Sequence, residues 1–248
     1  AAFCAGQRGE VEVDGSDREV LRRLAGQVRR LAERDREREK RDLWYGHNAL
    51  RERYPLVLCD PENGWNEIIS PEQLECAGSL ARRWEWVLRR QIFWGETLLD
   101  DRPVEPVFEV GTTHVDTGWG IDAEYHGGEE GTSYAWDPAV RTPADIEKIG
   151  IPTVTVDNET TLEAANLAQS ILGDQLEVVT RGLNVHSTHM TRDLAKMVGL
   201  QNMMMLMYDD PAFLHAIMKR FLAGHMARLD FLEANGLLTL NNDWSYVG

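Results

Sequence analysis

The stretch from Met203 to Asn242 constrains this chain more than any other, because a helix, its stop signal and an apolar run follow one another directly. Asp210 is placed to cap a helix, and Pro211 stands at its first position, where a missing amide costs nothing. Leu214, Met218, Phe221, Leu222, His225, Leu229 and Leu232 recur at three- and four-residue steps, which gives the helix one buried face. Asn235-Gly236 ends it, since glycine enters the left-handed region without steric penalty. Leu237 to Leu240 is then short and apolar, and Asn241, Asn242, Asp243 and Trp244 follow at once. This is one αβ unit of a parallel α/β protein, a class that keeps its chemistry beyond the carboxyl ends of its strands.

Composition narrows the function. With 248 residues, 43% of them apolar, the chain can bury a substantial core. A net charge of −15 argues against nucleic acid, whose binding is driven by basic neutralisation of phosphates. No apolar run approaches the roughly 18 residues of a membrane helix, and no signal peptide is evident, so no membrane is expected. Cys4, Cys59 and Cys76 have neither metal nor disulfide spacing, the cysteine usage of a reducing cytoplasm.

Residues 1–16 show no periodicity and read as a tail, leaving 17–248 as one domain. Asp17 is placed to cap a helix with Val20, Leu21, Leu24, Val28 and Leu31 on one side, and the charged run from Glu33 to Asp42 reads as its solvated extension. Leu56–Cys59 is the first strand expected, and Ser70-Pro71-Glu72-Gln73 the capping box of the next helix. Val104–Val110 is the second strand, with Glu105 and Glu109 on one face. A long glycine-rich connection from Gly111 to Asp137 has the length of a lid or small insertion. A helix from about Thr161 to Leu172, a third strand at Leu176–Thr180 and a helix around Leu194–Leu200 precede the final unit. Strands alternating with helices predict right-handed parallel βαβ units. The expected fold is therefore α/β: an incomplete (β/α)8 TIM-type barrel of about four βα units with an N-terminal helix.

The run ending Trp136-Asp137-Pro138, then Arg141-Thr142-Pro143-Ala144-Asp145-Ile146-Glu147-Lys148, Leu206-Met207-Tyr208-Asp209-Asp210-Pro211 and the closing Asn242-Asp243-Trp244 together resemble the uroporphyrinogen decarboxylase superfamily over residues 50 to 248. The resemblance implies a (β/α)8 barrel of which this chain supplies the first half. It also implies two chemistries. The decarboxylases hold an octacarboxylate tetrapyrrole with arginines after strand one, where this chain has Asp60-Pro61-Glu62-Asn63-Gly64. Carboxylates facing carboxylates repel, so the reading favoured is the other branch: corrinoid-dependent methyl transfer on a small substrate. That branch implies a corrinoid such as methylcobalamin, a corrinoid protein as partner, and zinc, whose ligands belong to the barrel's second half. Uroporphyrinogen decarboxylation is the alternative. A non-catalytic half-barrel that binds a partner, or completes itself as a homodimer, is a further one.

Glu109, at the carboxyl end of the second expected strand, is the candidate general acid or base. Asp60, Glu62, Asn63, Trp65, His114, Asn242, Asp243 and Trp244 are the candidate substrate or corrinoid contacts, with Trp65, Trp119 and Trp244 able to stack on a flat ring. His186 and His189 have the spacing of two metal ligands on one helical turn.

Overall fold

The structure is a computed structural model that describes residues 11–51, 54–127, 134–183 and 188–239. In chain order its elements are α1 (Gly15–Ala32), α2 (Asp35–Asn48), α3 (Trp65–Ile68), α4 (Ser79–Phe93), β1 (Val107–Gly111), β2 (His114–Asp116), β3 (Glu124–Gly127), β4 (Tyr134–Asp137), β5 (Val154–Val156), α5 (Asn158–Leu172), β6 (Glu177–Arg181), α6 (Met190–Val198), α7 (Leu200–Asp209) and α8 (Pro211–Ala234). They fall into two compact units. The first holds the chain up to Thr113 together with Asp157–Arg181, and the second holds His114–Val156 with Gly182–Thr239.

In the first unit α1 packs on α4 and α5, and α5 in turn on β1. Leu21, Leu24, Val28, Leu31, Leu80, Trp84, Leu88, Phe108, Ile171 and Leu172 form its core. The stripe expected on α1 is buried as the periodicity dictates, but the cap is Asp14, whose carboxylate accepts from the Asp17 amide at 2.8 Å. Asp17 is buried and serves another helix: its carboxylate takes the Ala77 and Gly78 amides, each at 2.8 Å, just ahead of α4. Ser70–Gln73 forms only a 3-10 turn, with the Ser70 amide donating to Gln73 Oε1, and the helix proper begins at Ser79. β1 and β6 pair in parallel, Val107 opposite Glu177 through Gly111 opposite Arg181.

In the second unit β2 pairs with β5 and β3 with β4, both antiparallel. Trp119, Val140, Ile149, Leu194, Met197, Val198, Phe213, Leu214, Ile217 and Phe221 are its core. α8 is built as its sequence dictates: Asp210 accepts from the Phe213 amide, Pro211 follows, and Gly236 sits at φ +63° past the end. The run after it makes a single parallel bridge, Leu238 to Leu183.

The barrel expectation is overturned. The described residues are 58% helical, and the six short strands among them lie in separate two-stranded sheets, two of them antiparallel. Leu56–Cys59 shows why. Its amides do not join a ladder, because side-chain carboxylates take them: Val57 N donates to Asp101 Oδ2 and Cys59 N to Asp100 Oδ2, both at 2.7 Å. Val57 is 57% exposed, so the segment is no buried strand. The connection after β1 is likewise no plain lid, since it carries β2, β3 and β4. The charged run is helical, as α2, but not wholly solvated: Glu37 and Lys40 are both buried.

Candidate functional site

In the first unit, residues from four distant stretches converge. α2 fixes one of them. Lys40 Nζ donates to the Arg102 carbonyl at 3.0 Å, Glu37 Oε2 accepts from the Val104 amide at 2.7 Å, and Trp44 Nε1 donates to the Asp101 carbonyl at 2.8 Å. On its other side the same segment carries the carboxylates that hold Val57 and Cys59. Residues 100–104 are thus clamped between α2 and the 57–59 segment, which explains the burial of an ion pair on α2: it is the anchor of a loop.

Against that loop lies an aromatic cluster. Trp65 and Trp94 are buried with their rings 4.7 Å apart, and Phe93 and Trp86 meet Trp65 edge-on. The Arg90 guanidinium lies 4.5 to 4.7 Å from the rings of Trp65, Trp86 and Trp94, and Arg102 stacks at 3.9 Å on Trp94. Such cation–π contacts gain as water is excluded. Both indole nitrogens are used: Trp65 Nε1 donates to Asp60 Oδ1 at 2.7 Å and Trp94 Nε1 to the Cys59 carbonyl at 2.9 Å.

The electrostatics follow. Partial burial works to raise the Asp60 carboxyl, but the Glu62 amide, the Trp65 indole and the charges of Arg90 and Arg102 outweigh it and hold Asp60 below the ordinary carboxylate range. Burial pulls Arg102 below the usual guanidinium value, against the opposing pull of Asp60, Asp100 and Glu109. Glu109 Oε1 accepts from Arg181 Nε at 2.9 Å, bridging β1 and β6. Its side chain is 39% exposed, so the carboxylate stays open to a further hydrogen-bond donor.

The structure therefore joins two of the expected residues, Asp60 and Trp65, directly and through Arg90, while Glu109 is bonded to Arg181 and reaches Arg102 only through its charge. The loop after Cys59 is not the bare acidic mouth it resembled, because Arg90 and Arg102 arrive from elsewhere in the chain. Glu62 lies at φ +51° in a 3-10 turn with Asn63, and both are exposed. The tryptophans expected to stack on a ring are committed: Trp65 is in the cluster, and Trp119 is buried between Phe221 and His225 in the second unit. They offer no face to a corrin. His114 is in β2, and His189 is the N-cap residue of α6 at φ +48°, before the helix rather than on its turn. His186, Asn242, Asp243 and Trp244 lie outside the described residues. A separate cleft of about 470 Å³, between Gln27, Ile69, Glu75 and Thr97, contains none of the expected site residues.

The second unit has two polar groupings. On the β3–β4 hairpin, Glu124 faces Asp137 in register and His126 Nε2 bonds Asp137 Oδ2 at 2.9 Å, with ligand atoms of all three within 4.8 Å on an exposed face. One imidazole and two carboxylates are not the histidine and two cysteines that zinc would take by resemblance. Cys59 and Cys76 do not supply them either: among the described residues neither joins a group of candidate ligands. The other grouping is internal. Arg228 holds Asp116 through two bonds at 2.7 and 2.8 Å and lies 4.9 Å from the Trp119 ring, whose edge meets His225. His225 Nε2 approaches Asp193 at 3.5 Å. Burial first, and the Arg228 charge second, lower the His225 pKa against the pull of Asp193 and Asp116.

No protein-family model, curated protein or solved structure matches this chain. None of the described helices is long and apolar enough to cross a membrane.

Proposed function

We propose that this chain binds a small organic substrate for an enzyme, at the cluster of Asp60, Trp94, Arg102 and Glu109, and that the reaction is the corrinoid-dependent methyl transfer implied by the resemblance. The observation that carries the reading is a guanidinium-and-indole wall, the packing of Arg90 and Arg102 on Trp94 with the Asp60 carboxylate held beside them by the Trp65 indole, from stretches far apart in sequence. Such a wall orients a ligand, and Glu109 is placed to accept a proton from it. A corrinoid, when bound, would carry the methyl group; the residues described here hold the substrate and manage its proton. The octacarboxylate alternative is less well served, because Arg90 already lies 4.0 Å from Asp60 and the charges of Asp60, Asp100 and Glu109 act on Arg102.

The test uses the whole protein with added zinc. Methylcobalamin is incubated with a panel of small thiols, alcohols and amines, whose proton leaves as the methyl group arrives, and conversion to cob(I)alamin is followed by absorbance, with uroporphyrinogen decarboxylation assayed in parallel. Methylation that falls at least about a hundredfold in Glu109→Gln supports the reading. Decarboxylation without methyl transfer would replace it with the alternative chemistry.

A second reading has its own observation. Met204, Met205, Met207 and Tyr208 of α7 and Met226 of α8 are all 48% exposed or more, an apolar surface of adaptable side chains suited to a protein partner. Sedimentation of the purified chain at rising concentration tests it for the homodimer, which would appear at twice the 28.2 kDa chain mass.

A further inference from the structure

Arg102 differs from five arginines of its unit in what holds its guanidinium. Arg22, Arg23, Arg29, Arg89 and Arg181 each bond a carboxylate at 2.9 Å or less. The Arg102 guanidinium makes no hydrogen bond and no ion pair among the described residues; its one close partner is the face of Trp94 at 3.9 Å. It has five N–H donors and is half-buried, so these donors are available to a ligand. The three carboxylates that attract it are engaged elsewhere. Asp60 takes the Trp65 indole and the Glu62 amide, Asp100 takes the amides of Cys59 and of Arg102 itself, and Glu109 takes Arg181. The backbone beneath Arg102 is pinned by Lys40, and the ring above is pinned through Cys59. Both halves of the stack are thus fixed, while the guanidinium edge is uncommitted.

We propose that Arg102 is a binding residue for a planar carboxylate, and that the substrate of this chain belongs to the aromatic or conjugated carboxylates. At 3.9 Å from the Trp94 ring centroid the guanidinium carbon is in contact with the indole face, and a guanidinium stacked on that face would present its N–H edge along the ring plane. A carboxylate takes two parallel bonds from such an edge, and only a planar acid continues the stack without tilting out of it. A tetrahedral phosphate matches the fork less well in that plane. The proposal refines the function above and rests on it only in taking this cluster as the ligand site.

Benzoate, benzamide and inorganic phosphate serve as probes, with no corrinoid and no methyl group in the assay, so that failure here and failure of the methyl-transfer reading are separate results. Binding is followed by titration calorimetry and by the indole N–H resonance of Trp94, assigned through Trp94→Phe. Benzoate is expected to bind and move that resonance, and benzamide and phosphate to bind at least about tenfold more weakly. Arg102→Gln should lose benzoate binding about tenfold or more, and Arg102→Lys most of that, because a point charge lacks the fork. Equal binding of benzoate to wild type and Arg102→Gln, or benzamide binding as well as benzoate, overturns the proposal. If Arg102→Gln fails to fold, the Arg102→Lys titration and the benzoate–benzamide comparison on the wild type decide alone.

Discussion

The buried pair on α2 gives the sharpest test of how the site is held. Glu37 and Lys40 side chains are each 4% exposed and 3.0 Å apart, and the remaining bonds of both go to the backbone of residues 102–104. Glu37→Gln keeps the shape and the acceptor for Val104 but deletes the charge, leaving the Lys40 ammonium buried against a carbonyl alone. Breaking a buried pair from one side costs about 3–5 kcal/mol. That is a large share of the roughly 5–15 kcal/mol that holds a typical domain. Removing both charges, as Glu37→Gln with Lys40→Met, removes the stranded ammonium and leaves chiefly the Arg102 carbonyl without its donor, a cost of about 1–3 kcal/mol. The double variant should therefore be more stable than Glu37→Gln, a coupling that urea unfolding of the four proteins measures directly. A loss under about 1 kcal/mol in Glu37→Gln, or additive losses, would refute the claim that the pair acts as a buried unit.

Three further outcomes are expected. A Cβ on Gly224 would meet Trp119 Cζ3 at 2.4 Å and Pro152 Cδ at 2.7 Å, so Gly224→Ala should cost about 1–3 kcal/mol by overpacking, read as a lowered urea midpoint. Because burial lowers the His225 pKa below its ordinary 6.5, the folded chain binds that proton less readily than the unfolded one. The stability due to neutral His225 is then complete above pH 6.5 and declines as pH falls below it. His225→Phe should flatten that acid-side loss, and an unchanged pH profile of the urea midpoint would count against it. Burial, with Glu85 second, pushes the Cys76 thiol up, and the thiolate is the reactive form, so iodoacetamide at pH 8 should label exposed Cys59 while Cys76 reacts only on unfolding.

Local signals were readable in the sequence where one residue decides the outcome. Asp210-Pro211 and Gly236 bound α8, Gly173 closes α5, and the apolar stripe of α1 is buried as spaced. The third expected strand lies within one residue of β6, since a short β-branched run has few other ways to be buried. The architecture was not readable, because alternation of strand and helix does not say which strands pair. Asp100 and Asp101 capture the amides of residues 57 and 59 from forty-odd positions away, and no local pattern announces that. The same distance hid the site. Asp60, Trp65 and Glu109 drew notice as polar or aromatic residues at loop and strand ends, whereas Arg90 lies in a regular helix and Arg102 in a loop among acids. Glu37 and Lys40 look like any solvated helix pair until the loop they anchor is seen. A signal did exist: Glu37 and Lys40 lie three apart on one helix face beside Trp44, a run too aromatic at its end to be wholly solvated.

The pairing of β1 with β6 bears on how the chain reaches its native state. The two strands lie seventy residues apart in sequence, and closing so long a loop costs about 4 kcal/mol of chain entropy before any pairing rewards it. Yet the intervening segment starts and finishes at one point, where the Asp157 amide donates to the Thr113 carbonyl at 2.9 Å, next to the β2–β5 ladder. Once that ladder zips, the effective separation shrinks to α5 and its flanks, and the parallel pair becomes a near-local event. This predicts an order of assembly, ladder first and crossover second. Weakening β2–β5 at Val115 or Thr155 should therefore slow the refolding of β1 and β6 more than it lowers their final stability.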